Sequence, residues 1–426
     1  MENNKQISSK GVFISLVKSI DAYNWLLKDH HRRVTAFAYQ LGSEYGLGAK
    51  RLAKLVIAAS IHDIGAIYVT ERDQLTQMDV DDPEPHQING ARILRGIKPL
   101  EGVRQIIRRH HVRYEDMLSG RVNPADIREE CWFLHLADRI DIGTLMFADD
   151  SDPHRRIRET IRPRFGRDFL PELAGCFERA ANSGEFWRNA DQTAYQELLL
   201  SAVDTELADM GPSDLESYAL LFGRIVDYKS NWTLTHSRSV GFVAERIGEL
   251  MNLPGETRSK LRIAGYLHDI GKIAVPAEIL EKPSPLDRAE YGAMQTHALF
   301  SSLILCGNGD LADIGRWAGN HHERRDRSGY PMKIGEDRFE TEMDIIAYAD
   351  IFTALLEARP YRASLGKDEA MDILRELSPF KLSKEVFSVV SAHFDDLATL
   401  LEESEPFGAG ENVPGAFARG DTARYL

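Results

Sequence analysis

Histidine and aspartate recur in this chain at matched spacings that suit metal chemistry. The phrase HDIGAIYVT begins at His62, and the phrase HDIGKIAVP begins at His268. Thirty-two residues before each of these histidines stands another one, His30 in the first case and His236 in the second. Because self-similarity at a fixed spacing is the signature of a duplicated unit, we interpret the chain as a tandem repeat.

The repeat extends over five histidines and two aspartates in each half. The first copy contains His30, His62, Asp63, His86, His110, His111 and Asp138. The second copy contains His236, His268, Asp269, His297, His321, His322 and Asp350. A lone histidine is most often an ordinary core or surface residue, but an ordered set that occurs twice indicates a shared function. Such polar side chains are costly to bury unless something binds them, and a metal ion would do so.

Two metal ions suit this set better than one. Seven ligands are too many for a single ion that keeps an open position, whereas two ions sharing a carboxylate such as Asp269 form a common hydrolytic centre for phosphoesters. Imidazole with carboxylate suits iron, manganese, zinc or nickel, and the lack of thiolates argues against structural zinc. Lys272 could protonate a leaving oxygen or neutralise phosphate charge, although a solvated lysine at a helix end fits equally well.

The elements that carry these residues are predicted to be helices. Apolar residues follow His236 at the spacing of one helical face, at Val240, Val243, Ile247 and Leu250. No segment shows strong strand alternation. The sequence therefore predicts an all-α fold of two tandem helical bundles with polar residues pointing inward.

Short local patterns predict where some of these helices begin and end. Asp287 and Glu290 have the spacing of a capping box at a helix start. Gly65 and Gly271 each follow an HD pair by two residues, and we interpret both as helix C-caps.

Composition limits the possible partners. The net charge of −14 disfavours a nucleic-acid polymer, and no apolar run is long enough for a membrane span. The N-terminus does not have the layout of a signal peptide, and the three cysteines lack metal-site spacing. We therefore expect a cytoplasmic protein. The expected domains are an N-terminal one at 1–208, a C-terminal one at 215–403 and a flexible tail at 404–426.

The second copy resembles a known family. Its motifs are HDIGKIAVPAEILEKPSPL from residue 268, HHERRDRSGYP from residue 321 and YADIFTALLEARPYR from residue 348. They resemble the HD-GYP branch of the HD superfamily of metal-dependent phosphohydrolases, which are phosphodiesterases of bacterial cyclic dinucleotides. The first copy resembles the same fold more loosely, so the bundles are expected to be of the HD type.

This resemblance implies an enzyme that opens cyclic di-GMP or 3′,3′-cyclic GMP-AMP to a linear dinucleotide or to mononucleotides. One alternative is an HD phosphohydrolase of another nucleotide. Another is a signalling scaffold that binds a cyclic dinucleotide or a partner without turnover. The family also suggests a homodimer or a signalling protein partner.

The resemblance assigns roles to particular residues. The seven polar residues of the second copy match the family's metal ligands, with iron or manganese as the expected ions. Asp269 and Lys272 would be catalytic, and Lys272 would also contact a substrate phosphate. Gly329, Tyr330 and Pro331 form the GYP loop, and Tyr330, Arg359 and Arg362 would contact substrate. From the residues alone, the loop is a rigid turn with an exposed aromatic, and the arginines are surface residues.

Three departures from the family pattern modify these expectations. Trp232 stands where a trinuclear subset has a glutamate ligand, and Leu26 stands there in the first copy, so two ions are favoured over three. Arg327 replaces a common glycine, which alters the loop and adds a cation. Thr353 stands where a second aspartate is frequent, which puts guanine recognition in question.

The first copy keeps all seven ligands but lacks the lysine, which is Ala66 there, as well as the GYP loop and the RPYR motif. We expect it to hold two more metal ions, to be a poor phosphodiesterase and to act as a regulatory half. Two alternatives remain, namely hydrolysis of a different phosphoester such as the linear product, and a relic centre without metal.

Overall fold

The computed structural model describes residues 10, 11, 13, 14, 17, 29–66, 78, 84–188, 192–207, 212–229, 235–280, 282, 284–306, 311–357, 364–378 and 380–402. Across these residues the chain is helical, with two isolated β-bridges and no sheet, which confirms the predicted all-α class. The contacts divide the chain into two compact units, Val17–Met210 and Gly211–Leu426 together with Met1–Leu16. None of the described helices has the length and apolar character needed to cross a bilayer.

The N-terminal unit is a bundle of short and medium helices. Its α-helices are α1 (His30–Tyr45), α2 (Ala49–Ser60), α3 (Glu84–Ile93), α4 (Glu101–Ile107), α5 (Tyr114–Leu118), α6 (Glu130–Met146), α7 (Pro153–Ile161), α8 (Leu173–Ala181), α9 (Gly184–Trp187) and α10 (Gln192–Glu206). Helix α1 packs against α2, α6 and α8, and α10 packs against α2. This packing surrounds α1 and α2, whose ends carry three of the expected metal ligands.

The C-terminal unit repeats this plan. Its α-helices are α11 (Pro212–Lys229), α12 (His236–Leu250), α13 (Gly255–Leu267), α14 (Ala277–Leu280), α15 (Arg288–Cys306), α16 (Ala312–Gly319), α17 (Thr341–Leu356), α18 (Lys367–Leu377), α19 (Lys384–Ala392) and α20 (Phe394–Glu402). Helix α12 packs against α13 and α17, and α15 packs against α16. A 3₁₀ turn, Ile270–Ala274, follows α13 and packs against α15. We call it the lysine turn because it carries Lys272.

One helix in each unit is buried on nearly all sides. Helix α6 carries Asp138 and helix α17 carries Asp350, and most residues of both are buried. A helix that is apolar all round belongs in the interior, so each aspartate is brought to the centre of its bundle. The predicted stripe on α12 is confirmed at Val240, Val243 and Ile247, which are fully buried, whereas Leu250 at the end of the helix is half-buried.

The capping prediction at the start of α15 is confirmed. The Glu290 carboxylate accepts the backbone N–H of Asp287 at 2.8 Å, and the Asp287 carboxylate accepts the N–H of Glu290 at 2.9 Å. These two bonds satisfy backbone donors that the first turn of a helix leaves unpaired. They fix the start of the helix that carries His297.

The C-cap prediction for Gly65 and Gly271 is wrong. Neither residue is among the described glycines with positive φ, and Gly271 lies inside the lysine turn. A Cβ on Gly271 would lie 1.9 Å from the carbonyl oxygen of His297, and one on Gly65 would lie 2.1 Å from that of His86. Each glycine therefore lets the turn after the HD pair touch the helix that carries the next histidine.

The domain boundary at the N-terminus differs from the sequence expectation. The expected N-terminal domain began at residue 1, but Phe13 packs with the C-terminal unit. Its ring lies edge-on to Tyr218 at 5.0 Å and near Phe222 at 6.3 Å, and it is fully buried. Burial of this aromatic ring against α11 explains the assignment. The expected tail at 404–426 lies outside the described residues.

Candidate metal centres

The seven expected ligands of the C-terminal unit converge on one place, although five separate segments carry them. His236 begins α12, and His268 and Asp269 directly follow α13. The remaining ligands are His297 in the middle of α15, His321 and His322 just after α16, and Asp350 in α17. Most of these side chains are buried, and the described residues form three overlapping groups here that could each hold an ion. Two of these groups share no residue, namely His236 with His268 and Asp350, and His297 with His321 and His322.

Asp269 lies between these two groups. Its Oδ2 is 3.2 Å from Nε2 of His268, and its Oδ1 is 3.3 Å from Nε2 of His297 and 3.9 Å from Nε2 of His321. Asp350 joins the first group, with Oδ1 3.4 Å from Nε2 of His236. A carboxylate with one oxygen toward each group has the geometry that bridges two ions.

The backbone sets the tautomer of three of these histidines. Nδ1–H donates to the carbonyl three residues earlier, at 2.8 Å for His268, 2.6 Å for His297 and 2.6 Å for His321. A carbonyl only accepts, so Nε2 keeps its lone pair in the neutral ring. Those Nε2 atoms are buried and make no hydrogen bond within the described residues. Buried lone pairs directed at a common volume fit a divalent cation.

Electrostatics favours the charge state of a metal ligand at Asp269, His297 and His321, whereas, despite burial, neighbouring carboxylates raise the pKa of His268 and raise that of His236 to about 10. Burial raises the pKa of Asp269, but the charges of Lys272 and His268 outweigh it and hold that pKa well below its usual range. Burial lowers the pKa of His297 to about 4 and that of His321 to about 3. The Asp269 carboxylate is therefore charged and these two imidazoles are neutral near pH 7, as metal binding requires.

Lys272 lies beside the carboxylate of Asp269. Its Nζ donates to Oδ2 of Asp269 at 2.6 Å, and its side chain is 13% exposed. Lys229, a buried residue on α11, supports the turn beneath it. The Lys229 ammonium donates to the carbonyls of Ile273 at 2.6 Å, Lys272 at 3.3 Å and Val275 at 3.3 Å. A second lysine thus determines where the backbone of the lysine turn lies.

The GYP loop packs against the second group of histidines. The Tyr330 ring lies 4.7 Å from the His322 ring, and its backbone N–H donates to the His322 carbonyl at 3.2 Å. The residue is half-buried, so the expected exposed aromatic is not observed. A Cβ on Gly329 would lie 2.4 Å from the His322 carbonyl oxygen, which explains the glycine. Pro331 follows Tyr330 through a cis peptide bond.

A buried glutamate and a strained arginine complete this loop. Glu323 is fully buried, and its carboxylate accepts the backbone N–H of Met332 at 2.5 Å and of Ile334 at 3.1 Å. Arg327 has φ of 65°, which explains the preference for glycine in the family pattern. Its guanidinium is largely exposed and lies 4.0 Å from Asp337, so the extra cation is at the surface.

The N-terminal unit assembles its seven expected ligands in the same way. Asp63 again lies between two groups, with Oδ2 3.3 Å from Nε2 of His62 and 3.5 Å from that of His30. Its Oδ1 is 3.7 Å from Nε2 of His110 and 3.8 Å from that of His86. The described residues form two candidate ion groups around it, one of which includes His111.

Asp138 distinguishes this centre from its C-terminal counterpart. Its Oδ1 is 3.4 Å from Nε2 of His30, but its Oδ2 accepts from Arg139 at 2.6 Å. The Arg139 guanidinium is fully buried and also donates to the carbonyl of Met78 at 3.5 Å. The Asp138 side chain is 3% exposed, whereas that of Asp350 is 15% exposed. The N-terminal centre is therefore the more enclosed of the two.

Sequence reasoning missed four residues that contact these centres or the lysine turn, which are Arg139, Asp141, Lys229 and Glu357. A usable signal existed for two of them. Asp141 is three residues after Asp138, and Glu357 is seven residues after Asp350, which are spacings of a single helix face. Four residues of the sequence interpretation, Leu26, Trp232, Arg359 and Arg362, lie outside the described residues.

Both halves of the chain are similar to known protein domains. Residues 27–143 and residues 221–380 each match the HD domain family. The chain is 27% identical to the 3′3′-cGAMP-specific phosphodiesterase 1 of Vibrio cholerae serotype O1, over 90% of this chain and 91% of the relative. It is 34% identical to the 3′3′-cGAMP-specific phosphodiesterase 3 of that organism, over 71% of this chain and 65% of the relative.

A solved structure has the same fold. The crystal structure of a cyclic GMP-AMP specific phosphodiesterase from V. cholerae superposes with a TM-score of 0.55 and 24% identity. The alignment covers 91% of this chain and 97% of that one. These likenesses agree with three features of the chain, namely the HD domain match in each half, the GYP loop and the two histidine–aspartate centres. The chain belongs to the HD-GYP family of metal-dependent phosphodiesterases and carries two HD domains in tandem.

Proposed function

We propose that the C-terminal unit hydrolyses a cyclic dinucleotide, either 3′3′-cyclic GMP-AMP or cyclic di-GMP, and opens its ring to a linear dinucleotide. The observation that carries this proposal is the Lys272 ammonium, 2.6 Å from an aspartate that lies between two histidine groups. A fixed cation beside two expected metal ions suits a phosphodiester, which carries negative charge. Both relatives described above are named as acting on 3′3′-cGAMP, which makes it the first substrate to test.

The C-terminal centre is proposed to hold two divalent ions, iron or manganese. His236, His268 and Asp350 would hold one ion, His297, His321 and His322 would hold the other, and Asp269 would bridge them. When bound, such ions supply Lewis acidity for phosphate oxygens and a water molecule of lowered pKa. The N-terminal centre is proposed to hold two more.

The protein side chains have separate tasks in this proposal. The buried histidines present Nε2 in fixed directions because their Nδ1 atoms are tied to backbone carbonyls. Lys272 would leave Asp269 in part to donate to a phosphate oxygen or to the leaving 3′-oxygen. Tyr330, packed on His322, would form one wall of the site beside the substrate.

The N-terminal unit is proposed to bind metal but to turn over cyclic dinucleotides poorly. It has Ala66 at the position of Lys272, and the buried Arg139 guanidinium donates to Asp138 rather than to Asp63. Its centre is also more enclosed than that of the C-terminal unit. A regulatory role fits these features better than a second active site for the same substrate.

The test is chromatographic. Anaerobically purified protein loaded with iron or manganese is incubated separately with 3′3′-cyclic GMP-AMP and with cyclic di-GMP. Wild type, Asp269→Asn and Asp63→Asn are compared. Loss of turnover in Asp269→Asn with turnover kept in Asp63→Asn assigns catalysis to the C-terminal unit. If metal-loaded wild type cleaves neither dinucleotide, the substrate proposal fails.

A further inference from the structure

The first histidine of each centre is oriented differently from the other histidines. Nδ1 of His236 lies 3.0 Å from the carboxylate of Glu357, and Nδ1 of His30 lies 2.7 Å from that of Asp141. By contrast, His268, His297 and His321 direct Nδ1 at a backbone carbonyl three residues earlier, and so do His62 and His110 in the N-terminal unit. A side-chain carboxylate thus takes the place of a carbonyl at one ligand in each unit.

Helix position explains this difference. His62, His110, His268 and His321 come just after the ends of α2, α4, α13 and α16, where the last turn has carbonyls without helical partners. His30 and His236 are instead the first residues of α1 and α12, so no preceding turn of their own helix offers a carbonyl. An acceptor must come from another element, and in each unit it comes from the helix that carries the ligand aspartate.

The two units place this acceptor on different turns of that helix. Asp141 follows the ligand Asp138 by three residues on α6. The equivalent position on α17 is Thr353, which is fully buried and whose hydroxyl makes no hydrogen bond within the described residues. Glu357 is the residue that directly follows α17, seven positions after Asp350. Its longer side chain reaches back to the same atom of the first histidine.

We propose that Glu357 is the positioning residue of His236 and that it replaces, one helical turn later, the carboxylate that Asp141 supplies to His30. A carboxylate that accepts a hydrogen bond from Nδ1 fixes the tautomer in which the Nε2 lone pair is free to bind a metal. It also raises the basicity of Nε2 and so makes it a stronger metal ligand. Thr353 can then replace an aspartate because Glu357 supplies the carboxylate instead, and the threonine need not indicate a change in which nucleotide base is recognised. The proposal rests on the ligand roles given above but not on the identity of the substrate.

The test measures Mn²⁺ affinity of the full chain by equilibrium dialysis against chelator-buffered Mn²⁺, with bound metal counted per chain. All variants carry His62→Ala, which removes an expected ligand of the N-terminal centre. The tight Mn²⁺ binding that remains then measures the affinity of the C-terminal centre. Glu357→Gln keeps the shape of the side chain but removes its charge. The matched control is Glu342→Gln, at the start of the same helix α17.

Glu357→Gln is expected to weaken Mn²⁺ binding by about 10- to 100-fold, whereas Glu342→Gln leaves it unchanged. Adding Thr353→Asp to Glu357→Gln is expected to restore most of the affinity, because it rebuilds the N-terminal arrangement. Unchanged affinity in Glu357→Gln, or a loss that Thr353→Asp does not reverse, would overturn the proposal. No cyclic dinucleotide enters this assay, so its outcome is independent of the substrate proposal.

A reciprocal pair of variants keeps the proposal testable if a C-terminal variant fails to fold. In a chain carrying His268→Ala, Asp141→Thr is expected to weaken Mn²⁺ binding at the N-terminal centre. Adding Leu145→Glu, seven residues after Asp138 and on an exposed position, is expected to restore it. Failure of both rescues would show that the two carboxylates are not equivalent.

Discussion

The Arg139 guanidinium lies 2.6 Å from Oδ2 of Asp138, an expected ligand of the N-terminal centre. The residue after the ligand aspartate in the C-terminal unit is Ile351, which cannot form such a pair. Two centres with the same expected ligand types therefore differ in where a cationic side chain is held, on Asp138 in one unit and on Asp269 in the other.

Replacement of Arg139 by the C-terminal residue is expected to tighten metal binding in the N-terminal centre. Arg139→Ile removes a buried positive charge that repels a divalent ion at Asp138, and repulsion is strong in a buried site. The rate of Mn²⁺ loss to a chelator measures the effect. Arg121→Ile, at an exposed ion pair with Asp116, is the control and should change nothing. Faster metal loss in Arg139→Ile would show that the arginine supports the centre instead of opposing it.

Metal content separates a loaded N-terminal centre from a relic. Protein reconstituted anaerobically and dialysed is expected to retain about four divalent ions per chain, because each centre has the ligands for two. Asp63→Asn and Asp269→Asn are each expected to lower this number to about two, since each removes one bridging carboxylate. Elemental analysis provides the count. A wild-type value of about two would mean that only one centre is loaded.

Lys272 is expected to act on turnover and not on metal retention. Lys272→Met should lower kcat by about 10²- to 10³-fold, the usual cost of losing one donor to the transition state. Its metal content should stay at the wild-type level, because lysine is not among the expected ligands. Lys260→Met, which removes a lysine paired with Glu256 and Asp313, is the matched control. Equal loss of kcat and metal in Lys272→Met would assign the lysine a structural role.

Lys229 is expected to influence catalysis through the lysine turn. Lys229→Met leaves the carbonyls of Lys272, Ile273 and Val275 without their shared ammonium, and a buried unsatisfied acceptor costs about 1–3 kcal/mol. We expect a lower melting temperature and a loss of kcat at saturating metal, since the turn can no longer hold Lys272 in place. Lys260→Met again serves as the comparison. A variant that melts early but keeps full kcat would separate stability from positioning.

The fold class and the candidate ligand sets could both be predicted from the sequence alone. A metal centre needs particular side chains at particular helical positions, and a repeated spacing of such residues has few other causes. The all-α class follows from apolar periodicity, which is a local property. The start of α15 was also predictable, because Asp287 and Glu290 act on the backbone next to them.

Other features were decided only by the tertiary structure. The glycines after the HD pairs have the local pattern of helix caps, but their role depends on the backbone of His86 and His297, which approaches from a distant part of the chain. Likewise, Arg139 and Lys229 have no special spacing among the many charged residues of the sequence. Hydrogen bonds form between groups that are close in space, whatever their separation in the sequence. A buried polar atom has no access to solvent water, so it must find its partner within the protein.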